Sequence, residues 1–71
     1  MKFAVMIEKG PTSYGASVPD LPGCVAVVET LEEVETLIRE AIEFHIEGLR
    51  QDGLPVPLPM TICEYVETQA A

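Results

Sequence analysis

"SVPDLPGCVAV", residues 17–27, sets Pro19, Asp20, Pro22 and Gly23 between two runs with strand character. Pro19 cannot donate to a sheet ladder, so it closes the strand before it. Asp20 can cap the turn through its own carboxylate. Pro22 and Gly23 suit the central positions of a type II turn, where glycine supplies the positive φ. Leu21 is held extended by Pro22 and is either tucked under the helix that follows or offered to a partner. Working backwards, "SYGASV" alternates Tyr14, Ala16 and Val18 with smaller residues, which predicts a strand over 13–18. "GPTS" (10–13) is turn chemistry, and "KFAVMIEK" predicts a strand over 2–9 in a hairpin with it. Working forwards, "CVAVVE" predicts a strand over 24–29 that is apolar on both faces.

A helix follows over about 31–52. Thr30 is a good N-cap, Glu33 completes a capping box, and Glu32, Glu33 and Glu35 favour the positive end of the helix dipole. Leu31, Val34, Ile38, Ala41, Ile42, His45 and Leu49 repeat at spacings of three and four, which makes one apolar stripe. Gly53 is the expected C′ residue, and Pro55 prevents resumption. "LPVPLP" (54–59) should run extended. "MTICEYVE" then predicts a last strand over 61–67, before a frayed "TQAA". The expected architecture is α+β: a single domain over 1–71, a two-layer sandwich of order β-β-β-α-β, with the fourth strand parallel beside the first.

One helix covers one face of such a sheet. The other face, carrying some of Ala4, Met6, Cys24, Ala26, Val28, Cys63 and Tyr65, needs another cover, and an apolar area that large points to an interface. A homo-oligomer, dimer or tetramer, is therefore expected. Size argues the same way. A chain of 71 residues buries only roughly 60% of its unfolded surface, and small folds find extra stability in disulfides, metals or self-association. Two cysteines and a single histidine are too few for a disulfide framework or a structural zinc site. No cofactor is expected. The short apolar run Phe3–Ile7 resembles neither a signal-peptide core nor a membrane span, so a cytoplasmic location is the default. Twelve acidic residues against four basic ones give a net charge of −8. That field repels phosphate backbones, disfavours direct nucleic-acid binding, and suits a basic protein partner.

Catalytic chemistry finds little foothold. His45 falls within the apolar stripe, where burial favours a packed neutral imidazole. Cys24 and Cys63 sit in expected strands without a nearby cation, and read as small buried hydrophobes. Glu8, Asp20, Glu29 and Glu64 lie near strand ends and could serve a metal-dependent nuclease only if they converge. Gly48, close to the stripe, would let the helix approach a strand or a second subunit closely.

The motifs "Y-x-A-x-VPDLPGC" (14–24), "T-x-E-E" (30–33), "REAIE-x-H-I-x-x-L" (39–49) and "G-x-x-V-P" (53–57) follow one another in fixed order and spacing. In these the chain resembles the HicB antitoxin family, over roughly residues 5–57. The resemblance implies a partial RNase H-like sheet without established catalysis. It also implies a place in a type II toxin–antitoxin pair, in which the HicB protein covers the active site of a small basic mRNA-cleaving toxin, HicA. Partner contacts are expected at Pro19, Asp20, Leu21, Pro22 and Gly23 and at the helix acids Glu43 and Glu47. Many HicB antitoxins add a C-terminal DNA-binding segment; nothing basic or helical follows residue 67 here, so DNA binding is not expected. An orphan scaffold module and a residual nuclease are the alternative readings.

Overall fold

A computed structural model describes residues 1–70. Three strands, β1 (Met6–Lys9), β2 (Tyr14–Ser17) and β3 (Val25–Val28), form an antiparallel sheet in the order β1-β2-β3, and one helix, α1 (Leu31–Gln51), follows. The fold is α+β in two layers, helix on sheet, and only 16 Å through its thinnest dimension. The ladders are shorter than the apolar runs predicted, because pairing is confined to residues with a partner opposite.

Register assigns each side chain to a face. Ile7, Ala16 and Ala26 stand in one cross-strand row, and Lys9, Tyr14 and Val28 in another. Ala16, Val18, Leu21, Cys24, Ala26, Val34 and Ile38 form the buried core, with Phe3, Val5, Tyr14, Val28, Ala41, Ile42 and Ile46 packed around it. The helix therefore covers the face that carries Cys24, Ala26 and Val28. That corrects their expected place on the far side. The rows on the open face are Met6–Ser17–Val25 and Glu8–Gly15–Val27. Small alanines at the centre of the covered face let the helix lie close to β2 and β3.

Both helix ends close as their sequence requires. Thr30 is the N-cap, and its hydroxyl accepts the Glu33 N–H at 3.2 Å. The same hydroxyl donates to the Glu33 carboxylate at 2.9 Å, so the capping box closes through side chains. At the other end Gly53 takes φ 70°. Its N–H donates to the Arg50 carbonyl at 3.1 Å, and the Leu54 N–H reaches the Leu49 carbonyl at 2.9 Å. These two bonds make a Schellman motif.

The expected fourth strand is not formed. Residues 61–67 carry no ladder, so the parallel crossover onto β1 is absent among the described residues. Alternating apolar residues give a segment strand character, but a strand exists only where an edge pairs with it. Of the expected frayed end, Ala71 lies outside the described residues. No helix among them is long and apolar enough to cross a membrane.

Candidate protein-binding surface

The turn over residues 18–24 is two tight bends in succession. The Leu21 N–H donates to the Val18 carbonyl at 3.0 Å, and the Cys24 N–H donates to the Leu21 carbonyl at 3.0 Å. The Val18 N–H closes the pair onto the Cys24 carbonyl at 3.2 Å. Gly23 sits at φ 84° after Pro22, as a type II bend demands. Between the bends Leu21 drops into the core and is fully buried beside Val34 and Ile38. Of the two roles open to it, the structure selects the first. Pro19, Pro22 and Gly23 are left exposed above it as a rigid ridge.

Asp20 serves a distant segment rather than capping its own turn. One carboxylate oxygen accepts the N–H groups of Met60 at 3.0 Å and Thr61 at 2.9 Å, and the other accepts the Thr61 hydroxyl at 2.9 Å. The Thr61 N–H bond is the main reason its carboxyl titrates below the usual value; desolvation opposes the shift, and the Thr61 hydroxyl and Met60 N–H reinforce it. This clamp had no local signal, since its partners lie 40 and 41 residues away.

Glu43 and Glu47 are exposed and line a separate open groove with Met1, Ile46 and Arg50. From Ile38 in the core to Glu47 is nine residues, about 14 Å along the helix axis. The ridge lies on the turn and these acids lie on the helix, beyond the core residue Ile38. Around them lies exposed apolar surface. On the open sheet face Met6, Val25 and Val27 are 47%, 62% and 69% exposed. On the helix, Phe44 and Leu37, two turns apart, are also exposed. That second helical stripe was legible from its seven-residue spacing and was missed, as was Ile46 at the core's margin.

The remaining candidates resolve individually. His45 is half-buried on the helix. Cys24 is buried, and burial pushes its thiol up, away from the reactive thiolate. Cys63 is exposed, against expectation, because its segment pairs with no strand among the described residues. A Cβ at Gly48 would meet nothing within 4 Å, so this glycine brings no strand close to the helix. Among the described residues no group of three or more His, Cys, Asp or Glu side chains is gathered to hold a metal ion. Glu8, Asp20, Glu29 and Glu64 are thus not gathered into such a group among the described residues.

Residues 3–70 match the family model described as the HicB-like antitoxin of a bacterial toxin–antitoxin system. The chain is 41% identical to an uncharacterised 14.9 kDa protein of Haemophilus phage HP1 over 93% of its own length and 50% of that protein's. It therefore spans half of that relative. It is 44% identical to a UPF0150 protein of Archaeoglobus fulgidus, covering 66% of this chain and 70% of the relative. A UPF0150 protein of Thermoplasma acidophilum is 38% identical, covering 80% and 84% respectively.

Proposed function

This chain belongs to the HicB-like antitoxin family of bacterial toxin–antitoxin systems, and from that premise we propose that it binds and neutralises a small basic mRNA-cleaving toxin of the HicA type. It does so as a non-enzymatic, homo-oligomeric cytoplasmic protein that lies over the toxin's active site. The observation that carries this reading is the family match over 3–70, which includes the whole of the turn–helix unit. Two further features support it. The net charge of −8 speeds encounter with a basic partner and favours correct pairing. The ridge of Pro19, Pro22 and Gly23 is preorganised, so its docking costs little ordering entropy.

In this arrangement Leu21 holds the ridge from below, Asp20 ties it to the C-terminal segment, and Glu43 and Glu47 meet basic side chains of the toxin. Co-expression with a small basic toxin of the HicA type, sought in the reading frame neighbouring this chain, tests the reading. Growth arrest caused by that protein should be relieved by this chain, and rescue should weaken at least tenfold in a Glu43→Lys, Glu47→Lys double variant that keeps its helix content. Arrest that persists undiminished beside the folded wild-type chain contradicts the antitoxin reading.

A further inference from the structure

The sheet leaves one flank of α1 bare. The helix packs on β2 and β3 and buries Val34 and Ile38. About a quarter turn round from that row, Leu37 is 39% and Phe44 79% exposed. Leu37, Ala41, Phe44 and Gly48 follow one another at four, three and four residues, the spacing of a seam on which a second helix packs. Gly48 is the unexplained member. Glycine inside a helix is unfavourable, and a Cβ here would meet nothing within 4 Å, so no contact within the chain accounts for it. One turn after the large ring of Phe44, the missing side chain leaves a notch.

Charge says what fits there. Glu33, Glu40 and Glu47 recur every seven residues along one border of the seam, and half-buried His45 stands on the other. The chain's four basic residues lie elsewhere. Lys2 and Arg39 line a groove on the β1 side of the helix, Lys9 ends β1, and Arg50 touches only the last turn of the acidic row, near Glu47. A second copy would set an identical acidic row against this one, and anionic lipid or a nucleic-acid backbone would be repelled by it. We propose that this flank receives an amphipathic helix of a basic protein partner. That helix lies along α1 with its apolar residues over Ala41 and Gly48, Phe44 as the anchor, and Lys or Arg side chains facing Glu33, Glu40 and Glu47. From Glu33 to Gly48 the seam runs about 22 Å. So short a contact depends on a few side chains, and a central aromatic is the type that carries such interfaces.

The proposal rests on the reading that the partner is basic and names which part of it is held; nothing in it requires that partner to cleave RNA. The probe is a synthetic peptide of three heptads with Leu at the seam positions and Lys at the flanking ones, beside a second peptide with Glu in place of Lys. Titration calorimetry of the full chain should show the lysine peptide binding and the glutamate peptide not. Gly48→Leu should weaken binding roughly tenfold by filling the notch, while raising the urea midpoint of the chain alone, because the new side chain begins in open space. Glu40→Lys should weaken binding by a similar factor, and Glu32→Lys, the same charge change on the far side of the helix, should leave it nearly unchanged. Absence of lysine-peptide binding overturns the proposal, as does full-strength binding by Gly48→Leu. Equal losses in the two charge variants also overturn it, since they would mark attraction to the acidic body as a whole. A chain that binds the lysine peptide as described yet relieves no growth arrest supports the proposal and contradicts the toxin reading. Relief of arrest that is undiminished in Gly48→Leu overturns the proposal and leaves the toxin reading standing.

Discussion

The turn at residues 18–24 and the segment at 61–67 make an instructive pair, joined as they are by the Asp20 clamp. Both are short and apolar-rich, and each was readable in the sequence as a definite structure. The turn is complete within itself. Its prolines and glycine set the backbone, its two bends hydrogen-bond internally, and Leu21 anchors it in the core. The C-terminal segment has strand-forming residues but no ladder, and its large side chains stand in solvent. Local chemistry suffices for a turn, whereas a strand needs an edge supplied from elsewhere.

The largest expected contrast between the two regions is in stability. Leu21→Ala should cost about 3 kcal/mol by emptying a fully buried site, read as a lowered urea midpoint. Tyr65→Ala, at a concentration where the chain is monomeric, should change that midpoint by no more than about 0.5 kcal/mol. A comparable loss at Tyr65 would mean the segment already packs within one chain. Next in size is Gly23→Ala. Open space surrounds its Cβ position, so the cost is the backbone's alone, about 1–2 kcal/mol for a side chain at φ 84°. An unchanged midpoint there would show that the second bend is looser than its hydrogen bonds imply.

The smallest effect sharpens the link between the regions. Asp20 titrates lower in the folded chain than in the unfolded one, because Thr61 and Met60 bond its charged form. The clamp's contribution is therefore full above the ordinary aspartate pKa near 4 and is lost as pH falls below it through the depressed folded value. Protection of the Met60 and Thr61 amides, relative to their intrinsic exchange rates, should fall over that acid range, and Asp20→Asn should remove that change. Protection that stays constant with pH in the wild type would show that the carboxylate does not hold the segment.

How much the sequence disclosed follows the same division. The turn, the Thr30 cap, the Gly53 motif and the three-strand meander were legible because each is set by residues within a few positions of one another. The face assignment of β3 was not, because "CVAVVE" is apolar on both sides and only register with β2 places Ala26 inward and Val27 outward. Leu21 was legible as the pivot of the turn, with burial and partner contact both left open, since the choice depends on Val34 and Ile38 arriving from the helix. Of the candidate contact residues, Pro19, Pro22, Gly23, Glu43 and Glu47 are exposed as a docking surface requires. Asp20's partners were illegible, being brought near only by the whole fold. The exposed Cys63 follows from the same cause as the missing strand.

Hydrogen exchange resolved to individual amides tests the central claim that this chain is finished in one region and unpaired in the other. Amides of residues 21 and 24 should be protected, while those of 62–66 should exchange at close to their intrinsic rates. Protection of 62–66 to the level of 21 and 24 would show that each chain completes its own sheet, and would contradict the account.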